Sequence, residues 1–196
     1  MNYARHLITV LLLALLTVST SSQAEANVVQ NGAEFPRQIT LNEQPLTLSG
    51  TGIARYRIIF TVYAAALYLP DGITSDAVLA GQTPRRLEIE YFHNISAEDI
   101  ILAANTKLAE QSTPEVLAKV QASVNEFHAL FQSVSDGDRY RMDYIPGVGT
   151  QLSFNGEPVG TVAGDDFAAA YFGIWLDNRS PLSDQLRTDL LSGISQ

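Results

Sequence analysis

Residues 48–69 read LSGTGIARYRIIFTVYAAALYL, an apolar run headed by Arg55 and Arg57 and carrying Tyr56, Tyr63 and Tyr68. Its density of β-branched and aromatic side chains predicts a strand, which the turn chemistry of Pro70-Asp71-Gly72 ends. Alternation sends Arg55, Arg57, Ile59, Thr61, Tyr63, Ala65 and Leu67 to one face and Tyr56, Ile58, Phe60, Val62, Ala64, Ala66 and Tyr68 to the other. Both faces are mostly apolar, so the strand is expected to be central in its sheet and covered on both sides. Gly50 and Gly52 predict a bend or a close approach of backbone. A buried strand needs no cation. Arg55 and Arg57 therefore mark either the solvent end of an ordinary core strand or a place where an anion is met.

Outward from this stretch, Asn27 to Pro36 is polar and expected to be loose, and Gln38–Leu41 with Pro45–Leu48 form a first hairpin around Asn42-Glu43-Gln44. Downstream, Ser75 can cap a short helix through Ala80, which Gly81 and Pro84 stop. Arg86 to Phe92 alternates, with Leu87, Ile89 and Tyr91 covered and Arg86, Glu88 and Glu90 toward water. Ser96 begins a capping-box-like helix to about Gln111 with Ile100, Ile101, Ala104 and Leu108 as its buried stripe. Thr113 and Pro114 open a second helix, to about Val134. A meander follows, Tyr140–Ile145, Thr150–Phe154 and Pro158–Val162, with Asn155-Gly156 as one of its turns. Asp165 caps a helix through Trp175, and Ser180-Pro181 opens the last one, through Leu191. Strands, two helices, a meander and two closing helices make an α+β pattern: a mainly antiparallel sheet with helices packed on one face.

Residues 1–26 have the form of a cleaved leader: Arg5, an apolar run from Leu7 to Val18, and small-x-small sites ending at Ala24 and Ala26. That run falls short of the roughly 20 residues that span a bilayer, so no stable membrane anchor is expected. The chain has no cysteine, which excludes lipidation at a lipobox, disulfides and thiolate metal sites. The protein is thus expected in the periplasm or secreted, as a single domain over residues 27–196. Its 12 basic and 21 acidic residues give a net charge of −9, which argues against nucleic acid or an anionic membrane as partner. With only Lys107 and Lys119 as lysines, arginine carries nearly all the positive charge, and its planar guanidinium suits carboxylates and phosphates.

No cofactor is implied by the residues. Beyond the leader, His93 lies near a strand end and His128 inside a predicted helix, without metal-ligand spacing around either, so no metal site is expected. There is no G-x-S-x-G elbow, and Ser49-Gly50-Thr51-Gly52 lacks the lysine and spacing of a P-loop.

Gly50-x-Gly52, then Arg55, then an apolar strand closing on Val62-Tyr63-Ala64-x-x-Leu67-Tyr68-Leu69 resembles the chalcone isomerase-like superfamily. Residues 166–191, DFAAAYFGIWLDNRSPLSDQLRTDLL, are similar to that family's closing helix pair. The family holds plant chalcone isomerases, fatty-acid-binding relatives and bacterial exported proteins. The resemblance implies an open β-sandwich with a ligand cleft between sheet and helices. It also implies that Arg55 is the arginine which, in the isomerases, acts on the electrophile while a threonine, a tyrosine and an asparagine assist. Here Tyr63 stands where the threonine belongs, and Ser96 and Ala103 fall near the tyrosine and asparagine positions; a slip of two brings in Asn105.

The candidate ligand-binding residues are therefore Arg55, Tyr63 and Asn105, with Ile59, Phe127, Phe131 and Trp175 as apolar lining. Eight residues of straight strand span about 26 Å, so Arg55 and Tyr63 reach one head group only where the chain folds back near Arg57 or bends strongly. Three readings stay open. The chain holds a fatty acid or another small amphipathic carboxylate without catalysis; it is an isomerase or intramolecular lyase for an enone-like substrate; or it is a structural or interaction module in which Arg55 pairs internally with Glu88, Glu90 or Asp143.

Overall fold

The computed structural model describes residues 26–57 and 59–194, so the leader expected over 1–26 lies outside the described residues except for Ala26. In chain order the elements are β1 (Val28–Gln30), β2 (Ala33–Phe35), β3 (Gln38–Leu41), β4 (Gln44–Tyr56), β5 (Phe60–Leu69), β6 (Arg85–Tyr91), α1 (Ala97–Gln111) and α2 (Pro114–His128). After them come β7 (Arg139–Ile145), β8 (Gly149–Phe154), β9 (Glu157–Val162), α3 (Asp165–Leu176) and α4 (Asp184–Leu190). β3 to β9 form one curled, seven-stranded sheet in chain order, every neighbour antiparallel.

The stretch 48–69 is a hairpin and not a single strand. The chain reverses at Arg57, whose φ is 49°, with the Ile59 N–H donating to the Arg57 carbonyl at 2.8 Å and Tyr56 facing Phe60. The expected alternation survives on β5. Tyr63, Ala65, Leu67 and Leu69 face the helices, while Ala64, Ala66 and Tyr68 face a second core. β5 is thus covered on both sides.

That second core corrects the expectation of a loose start. Val28–Gln30 and Ala33–Phe35 pair across Asn31-Gly32, both at positive φ, the two-residue turn that matches strand twist. Phe35, fully buried, seals Leu46, Ile53, Ala66 and Tyr68. Elsewhere on this face, cross-strand charges pair: Arg86 with Asp143 (Nη2–Oδ2 2.8 Å), and Arg139 with Glu88 (2.6 Å) and Glu90.

The glycines at 50 and 52 serve close approach. A Cβ on Gly50 would lie 2.1 Å from the Asp189 carbonyl oxygen, and one on Gly52 2.7 Å from Leu186 Cδ1, so α4 lies directly on β4. The Ser49 hydroxyl donates to the Leu190 carbonyl (2.9 Å) and the Gly193 N–H to the Ser49 carbonyl (2.7 Å).

Ser96 and Thr113 cap α1 and α2 by accepting from the N–H groups of Asp99 and Val116. α2 stops at His128, earlier than expected, because the chain leaves it to pair Val134 with Ile95. The last helix starts later, at Asp184, where Ser183 accepts from the Leu186 N–H. The helix expected from Ser75 to Ala80 is one 3-10 turn, Ser75–Ala77. Side chains hold this turn and the segment after it: the Thr83 hydroxyl donates to the Ala77 carbonyl, and Arg85 Nη1 to those of Val78, Ala80 and Thr83.

Candidate ligand cavity

Between the helix-facing side of the sheet and α1 and α3 lies a cavity of about 770 Å³. Leu87 and Ile89 of β6, Met142 of β7, Leu152 of β8, Ile100 of α1 and Ile174 of α3 give it apolar walls. The volume falls within the usual range for small-molecule sites. Its rim carries exposed apolar side chains: Tyr56 and Phe60 at the hairpin tip, Leu102 on α1, and Leu182.

The hairpin brings Arg55 and Tyr63 to this cavity. The register shifts between Ala54 and Arg55, so that Ala54 faces Tyr63 while Arg55 faces Thr61, with Val62 as the extra residue. Such a bulge re-aims side chains, and here Ala54 and Arg55, and likewise Val62 and Tyr63, all line the cavity although they are sequence neighbours. Arg55 is exposed at the rim and makes no hydrogen bond or ion pair among the described residues. The carboxylates considered as its internal partners are engaged on the opposite sheet face, Asp143 by Arg86 and Arg141 and Glu88 and Glu90 by Arg139.

Tyr63 is buried, and its hydroxyl accepts from the Trp175 indole N–H at 2.8 Å, which leaves its own proton to donate. Burial raises its pKa, partly offset by the indole hydrogen bond, so the phenol stays neutral. Asn105 does not join them. It is exposed on α1 and does not line the cavity; the wall residues of that helix include Ile100, Ala103 and Ala104, and the next position turns toward solvent. Ser96 is spent as a helix cap, whereas Ala103 does line the wall. Of the expected apolar lining, Phe131 and Trp175 are in place; Phe127 is buried in the core behind, and Ile59 is 77% exposed at the hairpin tip.

Two further tyrosines reach the cavity from distant elements, Tyr91 at the end of β6 and Tyr171 of α3. Neither makes a hydrogen bond among the described residues. Tyr91 packs edge-on to Tyr63, ring centroids 5.5 Å apart, and Tyr171 lies 6.4 Å from Trp175. Burial, reinforced by the neighbouring phenols, raises the pKa of both. Tyr140 also lines the cavity, but its hydroxyl is satisfied by the Gln132 backbone, accepting from N–H (2.8 Å) and donating to C=O (3.0 Å).

Fold and site together define a class, an α+β half-barrel whose helices cover an apolar cavity with a cation at its mouth. The chain belongs to the chalcone isomerase-like family, whose family model matches residues 27–192. No curated protein matches its sequence. Among solved structures, a fatty-acid binding protein of Arabidopsis thaliana is similar in fold, with a TM-score of 0.66 and 13% identity over 84% of this chain and 95% of that one.

Proposed function

We propose that this protein is a non-catalytic, exported carrier that holds a fatty acid or another small amphipathic carboxylate in the cavity. The carboxylate pairs with Arg55 and accepts from the Tyr63 hydroxyl, and the acyl chain lies against the apolar walls. The observation that carries this reading is Arg55, a guanidinium without a protein partner among the described residues at the mouth of an apolar cavity, while Asp143, Glu88 and Glu90 are engaged on the opposite sheet face and Asp99, on the cavity lining, accepts from the Ser96 hydroxyl. The fold shared with a fatty-acid binding protein supports it, and the leader-like sequence over residues 1–26 supports export. The enone-isomerase reading keeps Tyr63 but loses Asn105 from its assisting groups.

The test is native mass spectrometry of the purified protein followed by titration with fatty acids. A charge-assisted pair contributes about 1.5–3 kcal/mol, so Arg55→Ala is expected to weaken binding roughly tenfold to a hundredfold. If no lipid co-purifies and added fatty acids do not bind at micromolar concentration, the carrier reading fails.

A further inference from the structure

An acyl chain makes no use of hydrogen-bond donors, yet the cavity holds three phenols with a proton to give. Tyr63 keeps one O–H after accepting from Trp175, and Tyr91 and Tyr171 keep both their donor and acceptor capacity. The last two are 6% and 1% exposed. Tyr140 shows the contrast, since its hydroxyl is satisfied by backbone. Hydroxyls without a protein partner, gathered on the wall of an otherwise apolar cavity, are what a polar ligand group would complete.

We propose that Tyr91 and Tyr171, together with Tyr63, form a second subsite that takes an uncharged oxygen on the ligand's chain, a hydroxyl or a carbonyl. The ligand class is then an oxygenated amphipathic carboxylate and not a plain fatty acid. This rests on the carboxylate reading of Arg55. The oxygen is uncharged because the basic residues lining the cavity, Arg55 and His93, are both exposed at its rim. A second anion among the phenols would be buried without a cation. The phenols themselves stay protonated, their pKa values raised by burial, and so remain donors at neutral pH. A plain acyl chain packed against these hydroxyls would leave them unpaired, which penalises it relative to an oxygenated one.

The experiment compares stearic acid with a series hydroxylated near the carboxyl end, at mid-chain and at the terminus. Each is titrated into the wild type, Tyr91→Phe, Tyr171→Phe, the double variant and Tyr140→Phe. We expect at least one hydroxylated acid to bind roughly tenfold or more tightly than stearic acid. That preference should fall in each of the Tyr91 and Tyr171 variants, vanish in the double variant and survive in Tyr140→Phe, with stearic acid binding unchanged or tighter. Should the double variant not fold, the two single variants decide. If stearic acid binds and no hydroxylated acid surpasses it, or if the preference persists without Tyr91 and Tyr171, the subsite is overturned while the carboxylate reading stands. If neither acid binds, the carboxylate reading falls and takes this one with it.

Discussion

Two arginines of one sheet, Arg55 on β4 and Arg85 on β6, have opposite surroundings. Arg85 is fully buried and still has no carboxylate within ion-pairing distance among the described residues. One of its nitrogens donates to the carbonyls of Val78, Ala80 and Thr83 at 3.0–3.2 Å, and its guanidinium carbon lies 4.3 Å from the Tyr144 ring centroid and 4.7 Å from that of Phe172. Desolvation lowers its pKa to about 10, so it stays charged at neutral pH inside a shell of backbone dipoles and π faces. Arg55 is exposed and has no such shell. One cation is spent on holding residues 78–83 in place; the other is left for something that arrives from outside.

The largest test of that contrast is Arg85→Ala. It opens a cavity under Tyr144 and Phe172 and removes the donor shared by the carbonyls of Val78, Ala80 and Thr83, of which Ala80 keeps the Thr83 N–H, at a cost of about 3–5 kcal/mol. For a domain of this size the melting temperature should fall on the order of 10 °C, measured by circular dichroism. A variant melting with the wild type would mean that the Arg85 shell contributes nothing and that burial does not separate the two arginines.

Gly50→Ala ranks next. The added Cβ meets a backbone oxygen, not a flexible side chain, so β4 or α4 has to move, which costs about 1–3 kcal/mol. Differential scanning calorimetry reads the loss, and an unchanged transition would contradict the close contact of α4 with β4.

Alkaline pH probes the cavity wall. Tyr63, Tyr91 and Tyr171 have pKa values raised above 10, so the folded state holds protons that the unfolded chain has lost. The stability they contribute is complete below pH 10 and declines as pH rises above it. Phenolate absorbance should therefore show the cavity phenols ionising only on unfolding. Full ionisation of all tyrosines in a still-folded protein near pH 11 would refute their burial.

Much of the fold was legible because hydrophobic period and cap chemistry agreed, as at Ser96, Thr113 and the Asn155-Gly156 turn. The reversal at Arg57 entered only as one of two conditions for Arg55 and Tyr63 to meet, not from the residues at the turn. Its flanks are β-branched and aromatic, and no glycine, asparagine or proline marks the place, so local preference argued for one continuous strand. The Asn31-Gly32 hairpin did carry its signal and was outweighed by the polarity around it. In the cavity, Arg55 and Tyr63 were visible through one motif. Tyr91 and Tyr171 were not, because only the packing of α3 over the sheet brings a strand end and a helix face together. Arg85 reads as one more residue at a strand start until the carbonyls of the preceding turn are seen to converge on it.

The smallest expected effect is on the other side of the comparison, the stability of Arg55→Met in protein stripped of lipid. Truncating an internally paired arginine strands its partner and destabilises by about 3–5 kcal/mol. No partner of Arg55 is present among the described residues to be stranded, because Asp143, Glu88 and Glu90 keep Arg86, Arg141 and Arg139. Methionine retains the flexible apolar stem beside Tyr56 and Phe60 while removing the charge. The melting temperature should accordingly stay level or rise slightly in the empty protein, while the extra stability conferred by added fatty acid shrinks as affinity falls. A drop of about ten degrees without ligand would give Arg55 the role that Arg85 has and remove the cation from the ligand site.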